Sequence, residues 1–173
     1  NNQLIGLDND QAFGSNARAY GGSSMAFGNN AKASKGGAIA MGNGSQSRGD
    51  WGVAIGNGAK ALAAGARAIG ANSTADATNA AAMGWDSAAS GEASIAIGET
   101  AKATKNNSIA MSKAAIAAAD DSIAIGKNAL VDTNQQRSIA LGANSKTANV
   151  VSTPNQFVNG LWYKNLAGGS ADS

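Results

Sequence analysis

Hydrophobic and small residues alternate along this chain in short runs that recur every 14 residues. The segments Ser94–Gly98 and Ser122–Gly126 read SIAIG, and Ser108–Ser112 between them reads SIAMS. Apolar residues at every second position place their side chains on one face of an extended strand. A helix is disfavoured, because each recurring glycine would cost it about 1 kcal/mol. The pattern therefore predicts β-strands.

Alignment of the repeats on the last residue of this motif, taken as position 0, gives ten copies in one register. Position −2 is alanine in every copy, and these alanines are 14 residues apart except for the last pair, which is 16 apart. Position 0 is glycine in all copies but one, where Ser112 replaces it. Position −1 is always large and apolar, and position −3 departs from this only at Gln11, Arg67 and Ala81. A fixed period of this kind indicates a repeat architecture.

The second half of each repeat alternates as well. Position +3 is always alanine or serine, position +5 is small except at Val131 and Thr147, and position +4 between them is often basic. Turns rich in Gly, Asn, Asp and Ser separate the two halves. Two short strands per 14-residue coil, stacked on their copies, predict an all-β fold: a parallel β-solenoid with two flat sheets.

Side-chain size predicts which positions face inward. The small positions −4, −2, +3 and +5 are expected to face each other inside the coil, so that +4 points to water and −1 and −3 lie on an outer face. That face is too large and apolar for a monomer to leave exposed. We expect identical chains to cover it around an axis parallel to the solenoid. The predicted interface residues are Met25, Phe27, Ile39, Met41, Val53, Ile55, Ile69, Met83, Ile95, Ile97, Ile109, Met111, Ile123, Ile125, Ile139 and Leu141.

The repeats between about Gln11 and Thr147 have the form S-[IV]-A-[IVM]-G-x-[NDT]-[AS]-x-[AS]. This form resembles the YadA-like head repeats of trimeric autotransporter adhesins. The resemblance implies a left-handed parallel β-roll, assembly as a homotrimer, and display on the outer membrane of a Gram-negative bacterium through parts absent here. The family's signal peptide, coiled-coil stalk and membrane anchor are absent from this sequence, so we expect an excised head.

The repeat pattern stops after Thr147, and this predicts a domain boundary. We expect residues 1–148 to form the head β-roll. Residues 149–173 contain the only proline, Pro154, together with Phe157, Trp162 and Tyr163. We expect this segment to be a cap or neck that closes the last coil, or the start of the next module, with a flexible C-terminus.

The amino-acid composition argues against several classes of function. The chain has 23 glycines, no cysteine and no histidine, and its formal net charge is only +2. Without cysteine the chain cannot form a thiolate metal site. Its net charge is too small to indicate a nucleic-acid partner, and no apolar run is long enough to insert into a membrane. The carboxylates within the repeats fall in turns rather than converging, and for Asp120 and Asp121 a solvated turn is favoured over a cation site. We expect no enzyme, no metal and no cofactor other than a chloride ion at the trimer axis.

Adhesion is the function that the resemblance implies, with host matrix proteins such as collagen and fibronectin, host cells or other bacteria as targets. The alternatives are an ice-binding solenoid, disfavoured because the threonines form no continuous column, and a purely structural spacer. Basic residues recur at position +4, where they are either solvated charges or a surface for an acidic partner. These residues are Arg18, Lys32, Lys60, Lys102 and Lys146.

Arg67 is the one charged residue in the predicted interface columns. Three guanidinium groups converging on an axis would be costly without a partner, since arginine cannot lose its proton there. We expect either a bound anion such as chloride, or side chains bent through the gap beside Ala81 to carbonyls or turn carboxylates. The third alternative is a locally distorted coil in which Arg67 reaches solvent.

Overall fold

The computed structural model describes residues 4–5, 9–147, 155–158 and 161–164, and the side chains of residues 9–147. Within these residues every regular element is a short strand, and none forms a helix that could cross a membrane. The expected cap or neck at 149–173 and its flexible end lie outside the described residues, apart from two strands. The strands that build the coils are β1 (Leu4–Ile5), β2 (Gln11–Phe13), β3 (Arg18–Ala19), β4 (Met25–Phe27), β5 (Lys32–Ala33), β6 (Ile39–Met41), β7 (Gln46–Ser47), β8 (Val53–Ile55), β9 (Lys60–Ala61), β10 (Arg67–Ile69), β11 (Thr74–Ala75), β12 (Ala81–Met83), β13 (Ala88–Ala89), β14 (Ile95–Ile97), β15 (Lys102–Ala103), β16 (Ile109–Met111), β17 (Ile116–Ala117), β18 (Ile123–Ile125), β19 (Leu130–Val131) and β20 (Ile139–Leu141).

Two parallel sheets run along the molecule. The odd-numbered strands from β1 to β19 form one ten-stranded sheet, and the even-numbered strands from β2 to β20 form the other. Each strand pairs with the equivalent strand of the next coil, so that Ala96 lies opposite Ala110, 14 residues later. The predicted parallel β-solenoid of 14-residue coils is therefore confirmed. Beyond it, β21 (Asn155–Val158) and β22 (Leu161–Lys164) pair with each other as an antiparallel hairpin.

The interior between the two sheets is made almost entirely of alanine and serine. The four small positions predicted to face inward are buried in nearly every coil, and most of their side chains have no exposed surface. Val131 is the largest side chain that is fully buried in the described part of the chain. With methyl and hydroxymethyl groups on both inner faces, little space separates the sheets. The large residues of the same strands must therefore point outward, because side chains alternate across a strand.

The turns require a left-handed backbone at three positions of each coil. Position 0 has a positive φ in every copy, from 106° at Ser112 to 137° at Gly84. Positions +2 and −5 are also left-handed, as at Asn30 and Asn107 with φ of 56° and 54°. Asparagine and glycine tolerate the φ near 57° at positions +2 and −5, whereas the φ near 130° at position 0 favours glycine alone.

The 16-residue coil keeps the register of the sheets. Its two extra residues lie in the turn between β19 and β20, and Ile123 and Ile125 still pair with Ile139 and Leu141. An insertion placed in a turn changes the exposed loop without shifting the inward face of the following strand. The outward columns at positions −3 and −1 therefore stay aligned to the end of the even-numbered sheet.

Candidate functional site

The apolar face, defined here as the outward side chains of the even-numbered strands, is the dominant surface feature. Eight of the eleven exposed large hydrophobic residues in the described part of the chain lie on it. They are Phe13, Phe27, Met41, Ile55, Met83, Met111, Ile139 and Leu141. An apolar surface that follows the full length of a ten-stranded sheet is typical of an interface rather than of a free monomer surface.

The structure brings every predicted interface residue onto this one face. Each of them belongs to an even-numbered strand, where it flanks the buried alanine at position −2. Phe13 was not among the predicted interface residues, although it belongs to the same column. Its ring is 65% exposed and stacks on Phe27 with centroids 5.3 Å apart and planes 5° apart. The face therefore begins with a pair of aromatic rings at its N-terminal end.

The basic column, formed by the five basic residues at position +4, lies on the outer face of the opposite sheet. Arg18 and Lys32 are direct partners in neighbouring strands, which places their backbones about 4.8 Å apart. Lys60, Lys102 and Lys146 are separated from one another by uncharged residues of the same column. The column is thus a dense basic pair at one end followed by isolated charges.

Arg67 begins β10 and stands on the apolar face, where it is exposed in the single chain. Val53 and Ala81 are its register partners on either side. Its guanidinium group makes no ion pair or hydrogen bond with the described residues, so the bend towards carbonyls or turn carboxylates is not seen within one chain.

Two tryptophans project from the turns, on opposite edges of the coils, and the sequence pattern did not single them out. Trp51 is 74% exposed and occupies the left-handed position −5 with a φ of 58°, while Trp85 follows Gly84 at position +1 and is 53% exposed. The Trp51 ring lies over Gly37, where an added Cβ would collide with it. The sequence did contain a signal for these two residues, because each is a large aromatic residue in a column, −5 or +1, that small or polar residues otherwise fill.

The acidic turn that contains Asp120 and Asp121 borders a shallow cleft completed by Gln136 and Arg137 of the longer coil. Asp120 Oδ1 accepts a hydrogen bond from the backbone N–H of Asn106, at 3.1 Å. Asp121 Oδ1 accepts one from the side-chain amide of Asn107, at 2.9 Å. These carboxylates therefore hold one turn against the next. Among the described residues no group of three metal-ligating side chains is found.

Two comparisons with known proteins gave matches, and a third gave none. The model of the YadA head domain repeat matches residues 12–31, 19–45, 65–87, 89–111 and 113–129, which is more than half of the chain. The crystal structure of the collagen-binding domain of the Yersinia adhesin YadA is 34% identical, with a TM-score of 0.51. The alignment covers 80% of this chain and 64% of that domain. No curated protein sequence matches significantly.

Proposed function

Since the chain belongs to the YadA head family, we propose that it is the homotrimeric head of a bacterial surface adhesin that attaches to a host matrix protein of the collagen type. The observation that carries this proposal is the uninterrupted series of head-type coils, 34% identical to a domain whose described property is collagen binding. The proposal includes display on the surface of a Gram-negative bacterium, anchored through other parts of the adhesin. It assigns the chain no catalytic role.

The apolar face supports the trimer. Burial of an exposed aliphatic or aromatic side chain contributes about 1.5 to 3 kcal/mol, and this face repeats two such positions in most coils. Covering it with the same face of two other chains would remove it from water along the full length of the sheet. The opposite sheet would then form the outer wall of the trimer, which is where the basic column lies.

The shape of the outer wall favours binding through many weak contacts. Ten coils extend about 48 Å at the spacing of neighbouring strands, and three copies would present the same surface in three directions. A long fibrous partner could contact several coils at once, so that modest contacts add up to firm attachment through avidity. The basic column would contribute attraction to acidic segments of that partner.

The direct test is a solid-phase binding assay with the trimeric chain on immobilised collagen, fibronectin and intact bacterial cells. We expect saturable binding to collagen that weakens as salt is raised. The variant R18Q/K32Q/K60Q/K102Q should bind less and show a flatter salt dependence if the basic column contacts the partner. A matched control replaces four uncharged residues of the same outer sheet with serine. These residues are Gln46, Thr74, Ala88 and Ile116.

The outcomes separate two parts of the proposal. Unchanged binding by the charge variant at low salt would leave the basic column as solvated charge and keep the adhesin function. Absence of binding to every matrix protein and cell tested would overturn the adhesin function and favour a structural spacer. An ice-binding solenoid lacks support, because Thr74 lies in a strand of one sheet while Thr78, Thr100 and Thr133 lie in turns.

A further inference from the structure

Arg67 is the one charge on the apolar face, and its surroundings give it nothing to bind. From Gln11 to Leu141 the columns at −3 and −1 contain no acidic residue. The nearest outward neighbours in the sheet are Val53 and Ala81 in its own column, with Ile69 at the end of its own strand. A charged side chain in the middle of an association surface needs a counter-charge once that surface is covered.

The backbone carbonyls of the same sheet are already used between strands. The carbonyl oxygen of Ile55 accepts the N–H of Gly70, and that of Ile69 accepts the N–H of Gly84, each at 2.8 Å. The carbonyl of Ala66, just before β10, accepts the N–H of Val53 at 2.9 Å. Each of these carbonyls already accepts an inter-strand hydrogen bond, and none of them accepts one from the Arg67 guanidinium group within a single chain.

Trimer formation makes the imbalance worse. In the homotrimer three copies of β10 would meet at the same level along the assembly, and each would bring one positively charged guanidinium group. Burial of an unpaired charge opposes association, and the burial of neighbouring apolar side chains does not remove that cost. A ligand of opposite charge removes most of this cost by accepting hydrogen bonds from several chains at once.

We propose that the Arg67 side chains of three protomers bind one small inorganic anion, of the chloride class, on the axis of the trimer. This inference rests on the homotrimer of the proposed function, and the site is incomplete in any single chain. Ala81 leaves space beside Arg67, because only a methyl group stands at its position −3, where the following coil carries Ile95. A compact spherical anion accepts hydrogen bonds from donors on all sides, as three converging guanidinium groups require.

The first measurement is the thermal unfolding midpoint of the full chain as chloride replaces gluconate at constant ionic strength. We expect the midpoint to rise with chloride by a few degrees, as mass action predicts for a ligand of the folded state alone. The variant R67I should be more stable than the parent chain without chloride and should not respond to chloride. R18Q removes an arginine from the opposite sheet and should respond as the parent chain does.

The second measurement locates the anion. Crystals grown in sodium bromide should show an anomalous peak on the threefold axis within hydrogen-bond distance of Arg67, and crystals of R67I should lack it. A trimer with Arg67 extended into solvent and no bromide at this level would overturn the inference, as would an equal chloride response in the parent chain and R67I. Sedimentation of the same samples separates the two proposals. A folded monomer overturns the trimer, whereas a trimer without the anion overturns this inference alone.

Discussion

Glycine at position 0 serves two purposes in nine of the ten coils, the exception being the coil with Ser112. Its φ lies in a region that side chains rarely adopt, and the space where a Cβ would stand is filled by the next coil. At Gly56, with a φ of 134°, an added Cβ would lie 2.5 Å from the carbonyl oxygen of Gly70. At Gly44, with a φ of 66°, the corresponding space is open. Gly56 therefore combines an unusual backbone conformation with close approach of the next coil, whereas Gly44 has only the milder left-handed conformation.

The comparison of G56A with G44A tests this difference. We expect G44A to cost about 1 kcal/mol, the usual cost of a left-handed alanine. G56A should cost clearly more or prevent folding, because the methyl group and the next backbone cannot occupy the same space. Chemical denaturation of both variants beside the parent chain measures the two costs. Equal losses of stability would show that contact between coils does not set the glycine column.

At the scale of the strand and coil, the 14-residue unit should be interchangeable. Each coil pairs with its neighbours through the same positions, so removal of one complete unit leaves the inward and outward columns aligned. Deletion of residues 88–101 joins Ser87 at +3 to Lys102 at +4 and should yield a folded chain whose unfolding midpoint lies within a few degrees of the parent.

Deletion of residues 88–94 is the control: it removes half a coil, including β13, and should prevent cooperative folding. Circular dichroism with thermal melts compares them. Loss of folding in the first deletion would contradict modular stacking.

Much of this element-level organisation could be predicted from the sequence, because a 14-residue period with alternating size fixes which side chains face inward. The register of Ala96 with Ala110 and the outward direction of Ile97 both follow from that period. Trp51 could not be predicted in the same way, since the left-handed turn position normally selects glycine or asparagine. The hydrogen bonds of Asp120 and Asp121 could not be predicted either, because they depend on the residues of the neighbouring turn rather than on the 14-residue repeat.

At the scale of the whole molecule, the two sheets should respond differently to the same chemical change. I97D/I125D places carboxylates on the apolar face, and we expect it to abolish trimer formation, because a buried unpaired charge costs several kcal/mol. The control I116D/L130D introduces the same charges on the outer face of the opposite sheet and should remain trimeric. Analytical ultracentrifugation of both variants provides the comparison. A trimer that tolerates the first pair and not the second would assign the interface to the other sheet.

The length and apolarity of the outward face are explained if identical chains cover it, and the mass of the unmodified protein in solution shows whether they do. Sedimentation equilibrium at micromolar concentration should give three times the chain mass of 16.9 kDa, with no folded species of lower mass on dilution. Trimer dissociation should coincide with loss of β-structure, because an isolated chain would expose the whole face to water. A well-folded monomer of 16.9 kDa with native circular dichroism would show that the apolar face needs no partner chains.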